Sequence, residues 1–207
     1  MSMTVGNVLA MQQHNIKRLF GYSSIAQAGN FVVGLAAISA VGGHFVIGAS
    51  GVIFFVAAYA FTNMGAFAAI VAISNRTGSD EIADYAGMGR RSPLLAAGLA
   101  FCLVSLTGIP PTAGFIAKLY IFNAAMQSGL TWLAIIAVLN SVISAYYYLG
   151  IVRTMYLGAP TSDERVSVTP ELGFSLALAT ACVAFFGIIP GPLLSAATRA
   201  ASIFGAH

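Results

Sequence analysis

Lys118 is the residue with the most chemical potential in this chain, because it stands in the apolar run Phe115 to Met126, directly after a stretch that breaks a helix. That stretch is Gly108-Ile109-Pro110-Pro111-Thr112-Ala113-Gly114. Two successive prolines remove two backbone donors and disfavour helix on their N-terminal side. A lysine held out of water can change protonation state when a neighbouring charge appears or leaves, which is what a proton relay requires. The competing reading is that Lys118 snorkels its amine to a headgroup layer. The break favours the relay, since irregular backbone inside a membrane needs protein or water around it. Gly108, Pro110 and Pro111 read either as a simple kink or as the point where water meets the backbone beside the lysine. Ser105, Thr107 and Thr112 carry hydroxyls suited to holding that water.

Other polar residues lie in apolar surroundings. Tyr59, Thr62 and Asn63 fall within about one helical turn and can share a face. With Asn140, Ser144 and Tyr147 they have the character to line a wet track, against the plainer reading of interhelical hydrogen bonding and an interfacial aromatic belt. Tyr146, Tyr147 and Tyr148 are consecutive and cannot all share one face, which favours packing for that triplet. His14 and His44 read as loop histidines. All six acids, Asp80, Glu81, Asp84, Asp163, Glu164 and Glu171, lie in or beside loops. Lys118 therefore has no intramembrane carboxylate in this sequence, and its acidic partner must come from elsewhere. No phosphate loop, metal-ligand cluster or nucleophile elbow is present. Cys102 and Cys182 sit in apolar segments as small core residues.

The elements around these residues follow from composition. Hydrophobic residues make up 58% and charged residues 7%, against about 25% charged in a soluble domain. The mean hydropathy is +0.88. This is the composition of an all-α polytopic membrane protein. The formal net charge of +3 is scattered, with no basic stripe for nucleic acid. Met1-Ser2-Met3-Thr4 lacks a basic n-region and a small-residue cleavage site, so no signal peptide is read. The pattern predicts a partial helix over Val5 to Met11 and about five spans. These are Leu19 to Ala40, ended by Gly42 and Gly43; Gly51 to Ile73; a third from Pro93 through the Gly108–Pro111 break to Met126; Leu130 to about Leu157; and Leu172 to Ile189. A solvated charged loop runs from Arg76 to Arg91, a polar one from Gly158 to Glu171, and Pro190-Gly191-Pro192 breaks the last span.

Loop charges decide how to count the broken span. Taken as two crossings, its halves put Arg153 and Arg165 opposite Lys17, Arg18, Arg76, Arg90 and Arg91. Taken as one crossing, they put all seven on one side and Arg199 alone on the other, as the positive-inside bias requires. The second count predicts a single broken crossing with the Lys17/Arg18 end cytoplasmic.

Three motifs then carry a family resemblance. They are Asn15-Ile16-Lys17-Arg18 through Tyr22-Ser23-Ser24-Ile25-Ala26-Gln27-Ala28-Gly29, Asp80-Glu81-Ile82-Ala83-Asp84-Tyr85-Ala86-Gly87, and Gly108 through Lys118. In order and spacing, and over nearly the whole chain, they resemble the C-terminal half of the antiporter-like subunit N (subunit 2) of respiratory complex I. The resemblance implies one half of an inverted-repeat fold, a single membrane domain over residues 1–207, with the N-terminal repeat supplied by another chain or segment. It implies that Lys118 is the proton relay of the second half-channel, coupled to quinone reduction elsewhere, in a subunit of a translocase that holds no redox centre itself. NADH, FMN, iron-sulfur clusters and quinone would belong to other parts of the complex. The partners would be other membrane subunits and lipid, and the location a bacterial plasma membrane rather than an organellar or thylakoid one. Relatives often carry histidine where Gln27 stands and tyrosine where Asn30 stands, and sister subunits place titratable residues near Tyr59 and Asn63. A path lined by Tyr59, Thr62 and Asn63 is what this sequence leaves. The alternatives are a subunit of a multisubunit cation/proton antiporter or membrane-bound hydrogenase, or a non-conducting structural subunit.

Overall fold

A computed structural model describes residues 1–39, 45–160 and 166–204; Gly42, Gly43, His44, Asp163, Glu164, Arg165 and His207 lie outside the described residues. The helices are α1 (Ser2–Met11), α2 (Ile16–Ser39), α3 (Phe45–Thr77), α4 (Met88–Arg91), α5 (Pro93–Thr107), α6 (Ala113–Gln127), α7 (Thr131–Leu157), α8 (Pro170–Ile188) and α9 (Gly191–Phe204), with a 3₁₀ turn at Ile82–Tyr85. Among the described residues, three segments are long and apolar enough to cross a bilayer: Ile47–Thr77, Thr131–Leu157 and Pro170–Ile188. The 24 residues of α2 give it comparable length, about 36 Å at the usual rise. By contrast, α5 and α6 have 15 residues each, about 22 Å, which is less than a hydrocarbon core of about 30 Å. They flank the break at Gly108–Pro111, and each alone is shorter than a span.

The helix α3 is the hub, with α2, α5, α6, α8 and α9 all packed on it. Small residues make that possible: Ala58, Ala66, Ala69, Ala179 and Ala197 are almost fully buried at these crossings. Apolar side chains also cover the outside, Leu94, Trp132, Val142 and Phe174 each being more than 60% exposed. Such a surface suits lipid or another membrane subunit.

Two expectations need correction, and one helix was not foreseen. The Arg76–Arg91 loop is not simply solvated: Tyr85 and Met88 are fully buried in it and Arg91 is nearly so, because the short turn folds back over the helix ends. The second span extends beyond Gly51–Ile73 to Phe45–Thr77, since Ser74, Asn75 and Arg76 continue the helix past the apolar stretch. The chain after Pro190 is helical again as α9. There Pro192 sits in the first turn, where a missing donor is harmless, and Ala197 and Ala201 provide a buried face.

The charged loop is tied to the start of α2. The Ile16 amide donates to Asp80 O at 2.9 Å and the Ile82 amide to His14 O at 2.8 Å. Lys17 Nζ lies 2.8 Å from Asp80 Oδ1, and Ser74 donates its hydroxyl to the same oxygen. These hydrogen bonds, from Lys17 first and Ser74 second, hold the Asp80 carboxyl below its ordinary value of 3.8. A depressed carboxylate stabilises the folded loop above its unfolded pKa, and that contribution disappears as pH falls through the folded one. Hydrogen exchange at the Ile16 and Ile82 amides should therefore quicken below about pH 4, and Asp80→Asn should abolish that acid step.

Candidate functional site

In a regular helix the carbonyl of residue i accepts from the amide of residue i+4. Continuing α5 would pair Leu106 O with residue 110 and Thr107 O with residue 111, and both are prolines without a donor. Gly108 ends the helix in the left-handed region at φ 89, with its amide returning to Val104 O and Ser105 O. The two carbonyls stripped by the prolines are the two that Lys118 occupies: Nζ donates to Leu106 O at 3.0 Å and to Thr107 O at 2.8 Å. The lysine is 5% exposed. A cation at a helix C-terminus also meets the negative end of its dipole. Gly108 leaves room for the lysine stem, since a Cβ there would lie 2.9 Å from Lys118 Cδ.

The start of α6 is fixed with equal care. Thr112 caps it, accepting from the Phe115 amide and donating to Ile109 O at 2.7 Å. The Gly114 amide donates to Ser105 Oγ at 3.2 Å. The hydroxyl of Ser105 is 3.3 Å from that of Thr62. Thr62 itself donates to Ala58 O at 2.7 Å, so Ser105 is the donor between them. Gly187 of α8 closes on the break, where a Cβ would meet the Thr112 backbone at 2.6 Å.

Two small cavities, each of about 10 Å³, border Lys118. That is room for the centre of one water. The first is lined by Gln27, Tyr59, Thr62, Ser105 and Gly114; the second by Asn7, Gln27, Asn30, Asn140 and Ser144. Beside the second, Tyr147 donates its hydroxyl to Asn7 Oδ1 at 2.9 Å. Asn7 Nδ2 donates to Asn140 Oδ1 and to Asn140 O, both at 3.0 Å. A wider groove of about 350 Å³, between α6 and α7, reaches Lys118 past Thr107 and Gly108.

Of the residues singled out in the sequence, Lys118, Gly108, Pro110, Pro111, Tyr59, Thr62, Ser105, Asn140, Ser144 and Tyr147 thus lie at the break, along these cavities or in the bonded cluster beside them. Thr107 and Thr112 are at the break, their hydroxyls donating to Leu103 O and Ile109 O as that of Thr62 donates to Ala58 O. Asn63 lines neither cavity; it follows Thr62 directly and turns to another face of α3. Tyr146 points outward at 70% exposure, whereas Tyr147 and Tyr148 are buried. Cys102 is buried and Cys182 half-buried, both as free thiols. Sequence reasoning missed Asn7, whose signal was a lone amide in an apolar helix. It took Gln27 and Asn30 only as departures from a family pattern, although their i, i+3 spacing put two amides on one face.

A family model described as "NADH:quinone oxidoreductase/Mrp antiporter, TM" matches residues 1–144. NADH-quinone oxidoreductase subunit N from Dehalococcoides mccartyi is 45% identical over 201 residues, covering 97% of this chain and 41% of that protein. A chain of respiratory complex I from Thermus thermophilus with bound Aureothin superposes with a TM-score of 0.79 at 30% identity, covering 94% of this chain and 43% of that one. A chain of the Mrp complex from Dietzia sp. DQ12-45-1b has a TM-score of 0.87 at 21% identity, covering 97% of this chain and 45% of its own length, a likeness of fold alone. The chain spans about two fifths of the length of the curated relatives it matches.

Proposed function

The chain belongs to the NADH:quinone oxidoreductase/Mrp antiporter transmembrane family, and from that premise we propose that it is a proton-translocating membrane component of a complex I-type NADH:quinone oxidoreductase, with Lys118 as its relay. The observation that carries this reading is the seat of Lys118 Nζ on the carbonyls of Leu106 and Thr107, which Pro110 and Pro111 leave without backbone donors. The ammonium is bound there by dipoles alone. Among the described residues Asp80, Glu81 and Asp84 lie between α3 and α4 and Glu171 in the exposed first turn of α8, and none of them lines the cavities at Lys118, so the charge on Lys118 responds to a charge supplied from elsewhere in the assembly. That charge belongs to an N-terminal repeat on another chain or segment, and this chain is the C-terminal repeat, one membrane domain. Protons pass between Lys118 and the first cavity by way of the Tyr59, Thr62 and Ser105 hydroxyls. NADH oxidation, flavin, iron-sulfur clusters and quinone reside in other subunits. The orientation places the Lys17/Arg18 end and the charged loop in the cytoplasm.

Arginine separates a relay from a structural cation. Lys118→Arg keeps the positive charge and several donors for the two carbonyls, but guanidinium does not deprotonate in proteins. The assembled complex carrying Lys118→Arg is expected to keep its subunit composition and lose proton pumping. Pumping at the parental rate would reject the relay.

A further inference from the structure

Among the described residues Leu106 O has two donors and Thr107 O has one. Besides Lys118 Nζ at 3.0 Å, the Leu106 carbonyl accepts from Gln27 Nε2 at 3.2 Å, whereas Thr107 O is held by Lys118 at 2.8 Å. A backbone carbonyl can only accept, so this contact fixes which end of the Gln27 amide is nitrogen. Gln27 Oε1 must then face Asn30, and it accepts from Asn30 Nδ2 at 3.0 Å. That in turn fixes Asn30 Oδ1, which is buried and has no partner among the described residues. Asn30 and Lys118 both line the second cavity. Two of the three ammonium protons go to carbonyls, and the third is left for a partner. One water in the second cavity satisfies both needs, accepting from Lys118 and donating to Asn30 Oδ1. Gln27 is also common to both cavities and forms a wall between them.

We propose that Gln27 is the positioning residue that lets Lys118 exchange between the two cavities. The inference rests on the relay reading above and adds how the relay moves. Lys118 pivots on Thr107 O and releases Leu106 O, which keeps Gln27 as its donor and is never left bare. The freed N–H reaches a water in one cavity or the other, towards Tyr59, Thr62 and Ser105 or towards Asn30, Asn140 and Ser144. Without Gln27 the release strands a buried carbonyl, and the lysine stays pinned to α5.

The test is coupled proton pumping, against quinone reduction, by the assembled complex in liposomes. Gln27→Met keeps the length of the side chain and removes the donor; pumping is expected to fall about fivefold at every pH, the factor that one net hydrogen bond supplies. Gln27→Glu separates positioning from packing. Its ionised carboxylate cannot donate to Leu106 O and pairs with Lys118, whereas its protonated form donates as the amide does. Its pumping is expected to be low and to stay low from about pH 8 to about pH 6, because pairing with Lys118 holds the carboxyl ionised. The titratable groups facing this position are Lys118 from α6, Tyr59 from α3 and Tyr148 from α7, all common to the parent. A map of the intact complex that resolves waters is expected to show one between Lys118 Nζ and Asn30 Oδ1. Parental pumping and pH profile in both Gln27 variants, or a dry second cavity, would overturn the proposal. Lys118→Ala, run alongside, keeps the two levels apart: if it pumps normally the relay reading falls, and if it is dead while both Gln27 variants are parental, only the pivot falls.

Discussion

Replacing Lys118 with alanine is expected to lower coupled proton pumping by roughly fiftyfold or more while leaving an assembled, less stable protein. The rate follows from what the lysine does for a charge in an apolar layer. Carrying a charge at the centre of a bilayer costs at least about 2.5 kcal/mol even on the mildest scale, and each 1.36 kcal/mol of barrier is about a factor of ten. In Lys118→Ala a proton must pass the break on water alone, beside two carbonyls but without a group that binds it. The stability effect is separate and smaller. The variant loses two charge-assisted hydrogen bonds, each worth about 1.5–3 kcal/mol. The space vacated by the side chain joins the small cavities beside it and admits water, which restores part of that loss. A net destabilisation of about 2–3 kcal/mol is expected. Thermal unfolding of the assembled complex should show it, and Lys118→Arg should show less of it. Pumping in proteoliposomes within a few-fold of the parent would contradict the relay. Failure to assemble would instead make Lys118 a structural cation.

The sequence made the break and its lysine legible because both are violations: prolines where helix is expected, and a charge where lipid is expected. The count of loop charges turned that into a single interrupted crossing, and the structure divides the stretch into two 15-residue helices. What could not be read is which carbonyls the lysine finds, because that depends on the turn that brings α6 back against the end of α5. Asn7 was invisible for a similar reason. An amide in an apolar helix has no meaning until its partner is known, and Asn140 and Tyr147 lie more than 130 residues away in sequence. Gln27 was weighed as an absence of histidine, whereas its geometry gives it a positive role as a donor to Leu106 O. The last helix was lost because Pro190-Gly191-Pro192 reads as a stop. A proline in the first turn equally well marks a start, and only the alanine face at Ala197 and Ala201 told the two apart. Thr107 and Thr112 were read as water ligands, and what the sequence did not show is that each hydroxyl proton goes to a backbone carbonyl of the neighbouring turn.

The largest effect on assembly is expected from a single methyl group. In Gly114→Ala the added Cβ would be driven into the carbonyl oxygen of Ser105. No side-chain rotation relieves this, because both atoms belong to backbone or sit directly on it. The start of α6 must retreat from the end of α5. Retreat breaks the bond from the Gly114 amide to Ser105 Oγ, loosens Ser105 from Thr62 and draws Lys118 away from Leu106 O and Thr107 O. Overpacking alone costs about 1–3 kcal/mol, and one lost buried hydrogen bond adds about 1 kcal/mol. The sum, about 2–4 kcal/mol, is a large fraction of the stability of an ordinary domain. Gly21→Ala is the matched control: Gly21 is helical and exposed, and a Cβ there meets nothing within 4 Å. Alanine at such a site is neutral or stabilising by up to about 1 kcal/mol. Membranes expressing Gly114→Ala should contain far less assembled complex than those expressing Gly21→Ala, and what does assemble should pump poorly, because the lysine and its carbonyls no longer face each other. Equal yields from the two variants would mean that α6 can shift without cost, and that the close approach at Gly114 does not set the position of Lys118.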